Sequence, residues 1–201
     1  MATIPIEEKH ELIRRREELL AYDVAKQVIE KPKASIWIIF MPILFVFHAQ
    51  RMQKYKKSIH AFARHFMHTK GLALDAAREE AKTGKPPEGY PGDSEQNSGH
   101  GRGNAAIRER QLREIAILKE HYLLLLKRPG ETYPALLKNA YGSGGHYRFF
   151  LNRLFDAEEA VTDAVIESQH ATPDPDARDV VMRMKEVTEK LREKEMKDIF
   201  G

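Results

Sequence analysis

The feature that most constrains this chain is an uncharged, apolar run within an otherwise highly charged sequence. Seventeen residues between Lys33 and Arg51 carry no charge, and residues 36–47 are apolar throughout. Elsewhere charge is dense, since charged side chains make up 31% of the whole chain. A run of this length either enters a lipid bilayer or forms the buried core of a helical protein.

Two properties of the run favour a membrane. It is hydrophobic on every side, whereas a surface helix has a polar face. Trp37 and Tyr55 lie near its two edges, about 27 Å apart along a helix, which is close to the thickness of the hydrocarbon layer. We therefore predict a membrane segment at 34–50. Its embedded residues are Ile36, Trp37, Ile38, Ile39, Phe40, Pro42, Leu44, Phe45 and Phe47.

The topology of this segment stays open between a re-entrant dip and a single span. Seventeen residues are at the short limit for crossing, and Pro42 removes a backbone hydrogen bond in the middle. Residues 14–33 and 51–70 each contain six Lys or Arg residues. This equal number of basic residues on the two sides fits a segment with both ends in the cytoplasm, where basic side chains meet anionic headgroups. The predicted headgroup contacts are Lys31, Lys33, Arg51, Lys54, Lys56 and Lys57.

Hydrophobic periodicity predicts an all-α protein with long amphipathic helices. The predicted helices span 4–30, 51–82, 105–127, 133–141, 146–170 and a last helix from 175. Two of them carry apolar residues at the 3, 4 spacing of a coiled-coil seam. These predicted packing seams are Met52, Tyr55, Ile59, Phe62 and Phe66, and Val180, Met184, Val187 and Leu191. They could pair within one chain or between chains.

Residues 83–104 hold six of the twelve glycines and three of the ten prolines, which predicts a flexible, disordered linker. The predicted organisation follows from this boundary. It comprises an N-terminal amphipathic helix at 1–33, the membrane segment at 34–50, a basic amphipathic helix at 51–82, the linker, and a C-terminal helical module at 105–201.

No motif specifies a reaction, and we predict no catalytic residue, cofactor or metal. Glu7-x-x-His10 and Glu167-x-x-His170 have the spacing of di-iron ligands, but both pairs lie near polar helix ends rather than inside a bundle. Three histidines share one helix without a nearby carboxylate or cysteine to complete a metal site: His60, His65 and His68. The absence of cysteine excludes thiolate chemistry.

The composition also bears on partners. Thirty-three basic residues nearly balance thirty acidic ones, which argues against nucleic acid and leaves lipid and helical protein partners. The predicted function is a membrane-anchored, cytoplasm-facing helical adaptor or scaffold that acts through helix–helix contacts. The alternative is a soluble helical-bundle metalloprotein or enzyme in which residues 34–50 form the buried core.

Overall fold

The computed structural model describes residues 3–31, 42–86, 102–168 and 175–201; the side chains at 42–49, 102–104, 166, 168 and 175–178 are not described. Within these ranges the chain forms six helices and no strand, so the all-α prediction is confirmed. The helices are α1 (Ile6–Val28), α2 (Pro42–Thr83), α3 (Arg102–Lys127), α4 (Tyr133–Tyr141), α5 (Gly144–Ser168) and α6 (Pro175–Phe200).

Residues 34–41 of the predicted membrane segment lie outside the described residues, and none of the side chains named as embedded is described. From Pro42 onward its backbone is helical and continuous with α2. Pro42 is the first described residue of that helix. None of the helices as described is long and apolar enough to cross a membrane. A membrane segment at 34–50 therefore stays a prediction.

Helix α2 is the central element of the fold. Its 42 residues extend about 63 Å, and it packs against both α1 and α3. Helices α5 and α6 complete the bundle through contacts with α3 and α1. One hydrophobic core includes residues from all six described helices, among them Ile13, Leu74, Leu118, Leu154 and Met196. The helices on either side of the predicted linker thus share a single core. Thr83 belongs to α2 and residues 102–104 belong to α3, and residues 87–101 of the predicted linker lie outside the described residues.

A second, smaller core cluster brings the two predicted seams together. Leu20, Val24 and Val28 of α1 form its centre. Seam residues from α2 and α6 pack against this centre: Phe62, Phe66, Met184, Val187 and Leu191. Of the remaining seam residues, Ile59 is buried, Met52 and Tyr55 are half-buried, and Val180 is exposed. Helix α1 therefore covers much of both seams within one chain.

Polar contacts fix the turn between α3 and α4 and the end of α4. Lys9 of α1 donates hydrogen bonds to the carbonyls of Leu126 and Arg128, 3.2 and 2.7 Å away, at the C-terminal end of α3. Thr132 caps the start of α4. Gly142 ends that helix in the left-handed conformation, with φ of 70°. Lys9 thus connects α1 to the end of α3, and the two caps set the bounds of α4.

Candidate functional site

A cleft of about 500 Å³ opens between α2, α5 and α6, and α3 contributes one residue to it. Its apolar wall includes Phe62, Phe66, Phe155, Val161, Val181 and Met184. Polar and charged side chains from all four helices complete the lining. The volume and the mainly apolar lining are typical of sites that hold a small organic molecule.

Beside the cleft lies a network of buried ion pairs from four helices. Arg192 of α6 donates two hydrogen bonds of 2.8 and 2.9 Å to the carboxylate of Glu158 on α5. Lys70 Nζ of α2 lies 3.5 Å from Glu17 Oε2 of α1 and 3.8 Å from Glu158 Oε1. Lys70 and Arg192 are each only 3% exposed. Two cations thus face two carboxylates, and the network has no net charge.

The electrostatics of this network keep its carboxylates ionised. Burial alone raises the pKa of Glu17 and of Glu158, but the nearby cations Lys70 and Arg192 outweigh burial and lower both values. Burial likewise opposes the charge of Arg192, yet Glu158 raises its pKa overall. Removing one partner would leave a buried charge without a counter-charge, which typically lowers the free energy of unfolding by about 3–5 kcal/mol.

Glu114 of α3 differs from these paired acids. It lines the cleft, is only 8% exposed, and forms no hydrogen bond or ion pair within the described parts of the chain. Burial and the negative charge of Glu158 raise its pKa to about 7, against smaller opposing effects of Lys70 and Arg192. The charge on Glu114 therefore changes near neutral pH.

Two threonines in the lining offer the cleft only hydrogen-bond acceptors. The Thr162 hydroxyl donates to the carbonyl of Glu158 at 3.0 Å, and the Thr188 hydroxyl donates to the carbonyl of Met184 at 2.7 Å. A carbonyl cannot donate, so each hydroxyl proton is directed back along its own helix. The oxygen lone pairs remain free to accept a hydrogen bond.

A second buried ionisable group, His121 of α3, has a packing role. Its ring stacks on Phe150 with centroids 4.1 Å apart, and Nδ1 lies 2.7 Å from the hydroxyl of Tyr141. Burial lowers the pKa of His121 to about 3, so the ring is neutral at ordinary pH. The adjoining void of about 10 Å³ has room for one water molecule at most.

The predicted headgroup contacts that the structure describes lie on the surface. Arg51, Lys54, Lys56 and Lys57 of α2 are exposed, and so is Lys31 after α1. None of them forms an ion pair with another described residue. Lys33 lies outside the described residues.

The described residues of the sequence pairs with metal-ligand spacing contact other charged side chains. Glu7 pairs with Lys82, and Glu167 lies 3.6 Å from Arg110. His10 Nε2 lies 3.0 Å from Asp75, and His170 is outside the described residues. The three histidines of α2 (His60, His65 and His68) are all exposed. In the part of the chain that the structure describes, no group of three His, Cys, Asp or Glu residues could hold a metal.

The sequence predictions did not include the ion-pair network or Glu114. Three of the network residues nevertheless have a recognisable pattern in the sequence. Glu17, Lys70 and Glu158 each lie four residues after one core residue and three before the next apolar residue of the repeat. The helical repeat makes such positions apolar. Charged residues of both signs at apolar positions on three helices therefore indicate a buried ionic cluster. Glu114 and Arg192 have no comparably clear pattern.

Comparison of the chain with protein-family models, with curated proteins and with solved structures finds no match.

Proposed function

We propose that the protein is a membrane-anchored, cytoplasm-facing helical scaffold, in which residues 34–50 enter the bilayer and hold the helical bundle beside it. The observation that carries this proposal is the continuity of α2. Helix α2 runs unbroken from Pro42, inside the apolar segment, to Thr83 in the core. A continuous helix would transmit the position of the anchor to the bundle more rigidly than a loop could.

The surface charge of α2 supports the same proposal. Arg51, Lys54, Lys56 and Lys57 follow the apolar segment directly, and their side chains are exposed. A Lys or Arg near an anionic bilayer contributes about 1 kcal/mol of attraction. Four such residues beside the anchor would hold the first turns of α2 against the headgroups.

The scaffold would contact protein partners through its outer surface. Helix α1 covers much of both seams within the chain, so those seams are not free for a partner helix. Large apolar side chains on the outside of three helices are exposed: Leu19, Phe149 and Met182. We place partner contacts on these outer faces.

Membrane fractionation with an alkaline carbonate wash tests the anchor. The full-length protein should remain in the washed pellet, and replacing both Phe40 and Phe45 with lysine should release it. The matched control replaces Leu19 and Phe149, which are exposed on the bundle, with lysine. This control should stay in the pellet. Retention of the Phe40/Phe45 variant would show that the anchor lies elsewhere, and release of the wild type would favour the soluble alternative.

Cysteine labelling distinguishes a dip from a span. The chain has no native cysteine, so single cysteines at Ala2 and Gly201 are the only sites for a thiol reagent. A re-entrant segment leaves both positions on the same side of the membrane, and a single span separates them. In sealed cells an impermeant reagent should label neither position if both ends are cytoplasmic.

A further inference from the structure

We propose that the cleft between α2, α5 and α6 binds a lipophilic primary amine, with the ammonium group held by Glu114 and the apolar body packed against Phe62, Phe66 and Phe155. This inference goes beyond the membrane scaffold and does not depend on it. It rests on the shape of the cleft, its unbalanced charge and the hydrogen-bonding character of its lining.

The apolar wall of the cleft is held in place by the ion-pair network. Lys70 Nζ lies 5.1 Å from the ring centre of Phe66, and the guanidinium carbon of Arg192 lies 5.2 Å from that of Phe155. Cations at this distance are attracted to an aromatic ring. Because both cations are fixed by carboxylates, they help to hold the two rings in position before any ligand enters.

The charge left unbalanced at the cleft is negative. Glu158 is paired with Arg192, and Glu159 is paired with Lys185. Glu114 has no such partner within the described residues, although it is more deeply buried than either. A buried carboxylate without a partner is strongly unfavourable, so a cationic group placed beside Glu114 would offset a cost that the free protein carries.

Hydrogen bonding favours an ammonium head over a carboxylate head. The polar atoms at Glu114, Thr162 and Thr188 accept hydrogen bonds, and a primary ammonium group has three donors and no acceptor. The Thr69 hydroxyl, which also lines the cleft, can accept as well as donate. Among the described residues, Lys70 Nζ finds no hydrogen-bond acceptor and so remains a free donor. It lies between the carboxylates of Glu17 and Glu158, however, and their charge would repel a ligand anion.

The proton on Glu114 gives the site a distinctive pH dependence. In the free protein the pKa of Glu114 is about 7, set by burial and by Glu158 against Lys70 and Arg192. The other titratable groups lining the cleft are His65, Glu159, Asp163 and Lys185. An ammonium group on the carboxylate lowers its pKa, so binding at pH 6 should release about one proton. Affinity should fall roughly 30-fold between pH 8 and pH 5.5.

Calorimetric titration of the full-length protein tests the site. The protein is held in phosphatidylcholine nanodiscs, with empty nanodiscs as the blank, if the carbonate wash retains it in the membrane, and in buffer alone if it does not. The probes share one apolar body and differ in the head: 4-phenylbutylamine, 4-phenylbutanol and 5-phenylpentanoate. The amine should bind at least tenfold more tightly than the alcohol, and the carboxylate most weakly. Titrations in buffers of different ionisation heat should count about one proton released at pH 6 and almost none at pH 8.5.

Two variants test whether Glu114 causes the preference for the amine and the proton release. Glu114→Gln should remove both the preference for the amine and the proton release. Asp163→Asn removes one exposed acid from the same cleft and should leave both properties in place. Thermal unfolding checks that each variant is folded.

Several outcomes would overturn the proposal. Equal binding of the three probes would make the cleft merely apolar, and tightest binding of the carboxylate would make it an anion site at Lys70. Absence of binding by the amine would remove the site altogether. Should Glu114→Gln fail to fold, the wild-type proton count decides alone, and a count of zero at pH 6 contradicts the assignment. None of these results bears on the membrane anchor.

Discussion

Charged side chains in the interior determine much of this protein's energetics. Glu17, Lys70 and Glu158 occupy positions that the helical repeat would make apolar, and Arg192 joins them from α6. An isolated buried charge is costly, but these four balance one another across four helices. Since the pairs form only when the helices align in one register, they disfavour other packings of the same apolar faces. Glu114 is outside this balance and carries an uncompensated cost.

That cost predicts how stability depends on pH. The folded-state pKa of Glu114 is about 7, above its ordinary value of 4.5, so the folded protein binds the proton more tightly than the unfolded chain. Its carboxyl therefore destabilises the fold fully above pH 7, and the effect disappears as pH falls to about 4.5. Glu114→Gln should be more stable than the wild type by about 2–3 kcal/mol at pH 8, with little difference at pH 4.5.

Urea denaturation at the two pH values measures this difference. Asp163→Asn, which removes an exposed acid, is the control and should change stability by less than about 0.5 kcal/mol. A Glu114→Gln variant that is less stable than the wild type at both pH values would show that the carboxyl has a favourable partner.

At the scale of the helices, local sequence signals set both ends of α4. Thr132 caps its start and Gly142 ends it. Gly142 has a φ of 70°, which L-residues with a Cβ rarely adopt, whereas Gly71 lies within α2. A Cβ added at either position meets no atom within 4 Å. Both glycines thus have room for a Cβ, and they differ in backbone conformation.

The same glycine-to-alanine change should have opposite effects at these positions. Gly71→Ala should stabilise the protein by about 0.5–1 kcal/mol, because alanine loses less backbone entropy in a helix. Gly142→Ala should destabilise it by about 1 kcal/mol, because alanine is strained in the left-handed region. Chemical denaturation of both variants checks the signs. Equal signs would contradict the assigned conformations.

At the scale of the whole molecule, one core unites helices that are far apart in sequence. Ile13 and Leu74 from the first half pack in the same cluster as Leu118 and Leu154 from the second. Helix α2 has its most extensive packing with α1 and α3, which lie on opposite sides of residues 83–104 in sequence. Burial of this shared surface should hold the two halves together without a covalent connection.

Cutting the chain between the halves tests this expectation. A protease site inserted after Ser94 allows cleavage of the folded, full-length protein. The two fragments should co-elute in size-exclusion chromatography and separate only in denaturant. A C-terminal fragment that elutes alone and remains helical would instead be a separate module, as the organisation into an independent 105–201 segment predicts.

Whether a feature can be predicted from the sequence depends on how far apart in the chain the interacting residues lie. Helix content, the apolar faces and the termini of α4 follow from neighbouring residues, since a repeat of 3 or 4 and a Thr or Gly at a helix end act locally. The network around Lys70 and the isolation of Glu114 come from five helices that meet only after folding. The helical repeat places Glu17, Lys70 and Glu158 at apolar positions, but only the folded chain shows which partners they meet. Tertiary structure alone therefore decided which charges line the cleft, while the sequence by itself determined the helices that build it.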